Sequence, residues 1–335
     1  MMSHSSNRLV FKMIPFRTAS QMSPQNWTEL YNMESQNLPT ASKENVWYSR
    51  QRRAIVSKMS QAVATQLWSR ATFYVAVSIM DVYFLSCKDH PRDLENVAIA
   101  CMYFAANVCE ISGEDNIVSI ANFLRRMNDW DAGPVYRIQQ LETHIIDSTQ
   151  ASCLFRKTPL DFLLLYMAAL GLDEPLGRSL LCCLVQENRL PEIVVVVCMV
   201  ANAAWTSGFC MEYHGSEVVA AVLVNYFRDL LLRLNADHTD LSRRLNASVF
   251  HMSNLSELQL ATMMLEDMYR AATQLFVAEG REMCTSFVWR HQHQGIELAE
   301  LFENAPEPSL QGKEEQRRRK RLLVEIPRMI RRIIN

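Results

Sequence analysis

Cys284, His291 and His293 lie close enough in the chain to suggest metal chemistry, since a thiolate and two imidazoles are common zinc ligands. Three such residues in one polar stretch also arise by chance, and no zinc-type spacing accompanies them. No glycine-rich phosphate loop, H-E-x-x-H, G-x-S-x-G or C-x-x-C pattern occurs in the sequence. Neither catalysis nor a bound metal or cofactor is expected. The nine cysteines are an odd count and mostly lie in apolar stretches, which reads as the reduced core of an intracellular protein.

The remaining chemistry is that of charge. Arg317, Arg318, Arg319, Lys320 and Arg321 form an unbroken basic run, suited to nuclear import or to phosphate contact. Residues 313–335 hold nine Lys/Arg against three Glu, so a cationic tail follows a mildly acidic body within a net charge of −2. Beyond the run, Leu322, Leu323, Ile326, Ile330 and Ile333 alternate with arginines around Pro327, an amphipathic pattern suited to a partner or an acidic surface.

The elements that carry these groups read as helical. Only 9 glycines and 11 prolines occur among 335 residues, and 49% of the chain is hydrophobic, enough for a large core. The centre is a pair of helices over 72–85 and 96–111. Phe73, Val77, Met80 and Phe84 recur at helical spacing in the first, as do Val97, Ala100, Cys101 and Phe104 in the second. Further helices are expected near 44–67, 115–127, 135–146, 157–166, 175–188, 191–206, 215–234 and 254–278. Thr158 and Pro159 make a helix start, as N-cap and first helical residue. The apolar stretch Leu9–Phe11 is broken by Lys12 and Pro15, so no secretory leader is expected. The longest apolar run, 193–201, is far short of the roughly 20 residues that span a bilayer, so the protein is expected to be soluble.

Four segments carry a resemblance to the cyclin box. Val75 to Phe84 resembles its "LAVNYLDRFL" helix, and Val97 to Asn107 its "LVGVAALLIASK" helix. Arg52-Arg53-Ala54-Ile55-Val56 is similar to the "MRAIL" helix, and Tyr136 to Glu142 to the helix bearing the family's glutamate. Residues 157–166 resemble the opening of the second cyclin fold. Tyr213 to Ala221 resembles its "YxPSxxAAA" turn, with Gly215 in place of proline.

The resemblance implies an all-α protein of two tandem five-helix cyclin folds. The implied layout is a flexible N-terminal arm over 1–43, an N-terminal box over 44–150, a second cyclin-like fold over 151–278, and a linker with a basic tail over 279–335. Ser23-Pro24, the Ser-Pro pair of that arm, is a possible site for a proline-directed kinase.

It further implies a non-catalytic regulatory subunit that docks on a cyclin-dependent kinase and assembles its active conformation. The kinase-docking residues so implied are Glu142 with Arg137, and Asn107 with Phe104 and Val108. The family has lysine where Asn107 stands, so a charge-assisted bond gives way to a neutral one of roughly half the strength. The alternative for Glu142 is a solvated helix residue. Asp81 matches a structural aspartate of the family and should bond the backbone or a nearby arginine.

A substrate-docking patch is implied at Ile55, Val56, Met59 and Glu95, with Met59 replacing the family's tryptophan. That patch would bind partners or be covered by the N-terminal arm. The expected setting is nuclear, in cell-cycle or meiotic control. The rival is a kinase-independent cyclin-fold adaptor in transcription or chromosome-associated complexes. No membrane partner is expected, and nucleic acid only through the basic tail.

Overall fold

The computed structural model describes residues 24–35, 46–66, 68, 70–86, 93–109, 120–127, 130–149, 157–171, 176–186 and 189–288. Among these the regular secondary structure is entirely helical, in agreement with the expected all-α class. None of the helices is long and apolar enough to cross a membrane.

The first bundle comprises α2 (Val46–Thr65), α3 (Arg70–Ser86), α4 (Leu94–Cys109), α5 (Ile120–Arg126) and α6 (Val135–Ser148). Every residue of α3 from Thr72 to Phe84 is buried, as are Asn96 to Met102 of α4. Such all-round burial needs neighbours on every side. α3 and α4 pack on each other, α2 covers both, and α6 covers α4. Ala98, Ala100, Ala105 and Ala106 let those backbones approach closely. Each Phe, Leu or Met so buried is worth about 1.5–3 kcal/mol, which outweighs the modest helix propensity of the β-branched residues.

The second bundle comprises α7 (Pro159–Leu170), α8 (Leu176–Gln186), α9 (Leu190–Ser207), α10 (Gly215–Arg233), α11 (Leu241–Leu245), α12 (Leu255–Met264) and α13 (Glu266–Val288). α7 starts as read from the sequence: the Asp161 N–H donates to Thr158 Oγ1 at 3.3 Å, and the Thr158 N–H to Asp161 Oδ2 at 2.9 Å. α10 lies at the centre, buried from Gly215 to Phe227 and packed by α7, α9 and α12. Gly208 closes α9 at φ +90°, a conformation that an L side chain rarely adopts, and lets the chain turn back into α10. The single helix expected over 254–278 is instead two. Leu265 is itself buried in the core, and the chain turns there between α12 and α13. The π turn 246–250, continuing α11, carried no sequence signal that the expected helices absorbed.

The N-terminal arm requires the largest correction. Residues 24–35 of the segment expected to be flexible form α1 (Pro24–Ser35), docked on the second bundle. Trp27 is 2% exposed, with its ring 5.8 Å from that of Tyr166 and 5.7 Å from that of His251. Glu34 accepts from the N–H and the hydroxyl of Ser216 in the first turn of α10, where the helix dipole favours an anion. The Tyr31 hydroxyl donates to the Phe250 carbonyl. Glycine rather than proline at 215 fits this contact, because a Cβ there would lie 3.3 Å from Glu34 Oε1.

Candidate functional site

α4 and α6 pack together and carry all five residues of the expected kinase-docking set. Ile138, Leu141 and Ile145 turn inward on α6, a stripe that fixes which face of the helix looks out. Glu142 sits half-buried beside that stripe. Burial pushes its carboxyl above the ordinary glutamate range, and it has no hydrogen-bond or ion-pair partner among the described residues. Asn107, near the end of α4, is partly exposed, yet its side-chain oxygen is buried and unpaired. Val108 beside it is 42% exposed, and Phe104 one turn earlier is half-buried.

Arg137 is tied down. Its guanidinium pairs with Asp93 at the start of α4, and Asp93 also accepts from the Asn96 amide at 2.9 and 3.0 Å. Asn96 in turn accepts from the Gly133 N–H at 2.7 Å, so this network locks the entry into α6 against α4. Arg137 is therefore a structural clamp as well as a surface residue. A polar cleft that sequence reading missed runs along the outer side of α6, lined by Tyr136, Gln139, Gln140, Thr143, His144 and Asp147. The i, i+3, i+4, i+7 spacing of Tyr136, Gln139, Gln140 and Thr143 was its available signal.

Expectation fails at the first-helix patch. Val56 and Met59 are fully buried and Ile55 is 8% exposed, so these side chains form the underside of α2 rather than an apolar surface. The helix presents Arg53, Ala54 and Ser57 instead. Lys58, not Met59, occupies the rim, with its ammonium 4.6 Å from the centre of the Trp130 ring. It pairs with Glu95, which also accepts from the Asp131 N–H at 3.0 Å. Burial alone would raise the Glu95 carboxyl, but these two bonds outweigh it and hold the group below its usual range.

One residue back, Arg52 enters the interior, 2% exposed. Its Nε and Nη2 form a two-pronged pair with Asp81 at 2.7 and 2.8 Å, and its Nη1 donates to the Trp205 carbonyl of α9 at 2.8 Å. The Tyr48 hydroxyl also donates to Asp81. Desolvation works against the guanidinium, but the Asp81 carboxylate prevails and holds it more firmly protonated than usual. This cluster joins the two bundles, together with the bond from the Tyr74 hydroxyl to Asn202 Oδ1 at 2.9 Å.

Five successive helices with a buried arginine–aspartate pair and an open α4–α6 face are the setting for the decisive comparison. Residues 25–150 match the family model of the cyclin N-terminal domain. This stretch of the chain is a cyclin box. Curated proteins yield no match to it. The matched box begins with α1, so the helix docked on the second bundle belongs to the family pattern, which the boundary drawn at residue 44 had cut away. Its apolar residues Trp27, Leu30 and Tyr31 stand at helical spacing, but the stripe is completed by a carboxylate, Glu34, which hides it as a pattern.

Among the described residues no group of three His, Cys, Asp or Glu side chains could hold a metal. The side chain of Cys284, His291 and His293, and the basic run 317–321 all lie outside what the structure describes. The family supports the coarser part of the expected function, a cyclin-like regulatory protein that works through protein partners.

Restoring the family's charge at Asn107 gives a directional test. Where the α4–α6 face docks a kinase, as the resemblance implies, Asn107→Lys is expected to tighten that binding by about 1 kcal/mol, roughly five-fold, since a charged donor replaces a neutral amide. Titration calorimetry against the purified partner would read it, and unchanged or weaker binding would remove Asn107 from the contact.

Proposed function

We propose that this cyclin-box protein is the non-catalytic regulatory subunit of a cyclin-dependent kinase, acting in the nucleus in cell-cycle or meiotic control, with the second bundle as a second cyclin fold. The observation that carries the reading is Glu142: a half-buried, unpartnered carboxylate on the open face of the box, beside the orphaned oxygen of Asn107. A carboxylate left partly desolvated without donors costs stability in the free chain, and donors from a partner's backbone would offset that cost. Docking through this face would favour the kinase conformation in which its ATP-positioning groups are assembled, by differential affinity for that state.

The linkage runs the right way for a functional residue. Folding raises the Glu142 pKa, so its contribution to stability is best at low pH and declines as pH rises from the ordinary glutamate range through the raised value. Glu142→Gln should leave the free chain as stable at pH 7 or slightly more so. The same change should abolish kinase capture, because a backbone donor in the docked interface would lose its charged acceptor, typically 2–5 kcal/mol.

The test is a tagged full-length chain used as bait in its native cell type, with co-purifying kinases identified by mass spectrometry and assayed for phosphorylation, wild type against Glu142→Gln. A kinase held and active only with wild type supports the reading. Equal capture by both would rule out this face. No kinase with either protein would favour the adaptor reading, to which asparagine at 107 and the Lys58–Glu95 closure of the first-helix rim already lend support.

A further inference from the structure

α12 is apolar on both sides. Leu258 and Ala261, with Leu265 just past the helix end, face the core, while Leu260, Met263 and Met264 stand 49%, 70% and 56% exposed. These three are spaced i, i+3 and i+4 and share one outer face. A helix at the surface of a globular protein normally keeps its outer face polar, so this one is built to be covered. Carboxylates stand at both ends of the patch: Glu257 before it and Asp267 after it, both exposed.

The chain itself supplies a complement. Residues 289–335 follow α13, and within them Leu322, Leu323, Ile326, Ile330 and Ile333 recur at three- and four-residue intervals, interleaved with Arg328, Arg331 and Arg332. Residues 289–321 can extend ~110 Å at ~3.4 Å per residue, several times the ~35 Å length of α13, so tethering does not limit reach. A tethered segment also meets its site at an effective concentration near millimolar, ahead of a free partner of equal intrinsic affinity.

We propose that segment 322–334 docks on the outer face of α12, its isoleucines and leucines covering Leu260, Met263 and Met264 and its arginines meeting Glu257 and Asp267. Met side chains suit this role, since their flexible thioethers adapt to a partner of irregular shape. Docking would hold the adjacent basic run 317–321 against the body of the protein.

Hydrogen exchange on the full chain, with wild type compared with Met263→Glu and with Ile330→Glu, tests this. The expected result is slowed exchange over 322–334 in wild type, at least ten-fold below the free-chain rate, with slowing lost in both variants while α10 keeps its protection. Free-chain exchange of 322–334 in wild type overturns the proposal, as does protection indifferent to Met263→Glu. A photo-crosslinker at position 264 separates the occupants: an adduct within one chain onto 322–334 supports the proposal, and an adduct to a second copy or to another protein overturns it.

Discussion

Replacing Arg52 with methionine is expected to lower the unfolding free energy by about 3–5 kcal/mol, among the largest effects of any single substitution in this chain. The substitution keeps length and apolar bulk, so the loss reports electrostatics rather than a cavity. Asp81 would remain 3% exposed with its main cationic partner gone, and the Trp205 carbonyl would lose its bond across the bundle junction. Urea unfolding followed by circular dichroism would measure it. The double variant Arg52→Met, Asp81→Leu should recover part of the loss but not all. It removes the stranded charge yet also removes the Asp81 acceptor of the Tyr48 hydroxyl and the Arg52 donor to the Trp205 carbonyl, each loss costing up to about 1–3 kcal/mol. A loss under 1 kcal/mol for Arg52→Met would show that the pair does not hold the bundles together.

Trp27→Ala is expected to release α1. Removing a buried tryptophan costs about 3–5 kcal/mol, and the polar bonds of Glu34 and Tyr31 contribute too little to hold a twelve-residue helix in place alone. The effect should be local. Amides of 24–35 should exchange at free-peptide rates and the flanking chain should become sensitive to protease, while α10 and α4 keep their protection. Global unfolding at the same midpoint with α1 still protected would mean that the helix is held by something other than the Trp27, Tyr166 and His251 stack.

How much of this was legible depends on whether a feature repeats. The α3–α4 pair announced itself because buried helices are apolar for many residues in succession, and a long period survives one or two exceptions. α7 was readable for a different reason: Thr158, Pro159 and Asp161 are start signals whose chemistry is local. Features decided by one residue of phase were harder. In α2 the adjacent Arg52 and Arg53 are alike in type, but one is 2% exposed and the other faces solvent, and the same one-residue rotation put Met59 in the core and Lys58 on the rim. α1 was missed because a charged residue, Glu34, completes its buried stripe; the reason it can be buried is Ser216, 182 residues away. No local pattern encodes such a partner. The exposure of Glu142 has the same origin, since what leaves it unpaired is the arrangement of α4 against α6.

The docking of α1 has a consequence for how the chain comes off the ribosome. The hydroxyl of Tyr31 binds a carbonyl 219 residues further along, so α1 cannot complete its seat until the π turn after α11 has been synthesised. At about 5–20 residues per second that wait lasts roughly 10–45 seconds. For that interval Trp27 and Leu30 are exposed on a nascent chain whose first bundle is already complete, an opening for a chaperone that closes when Phe250 emerges.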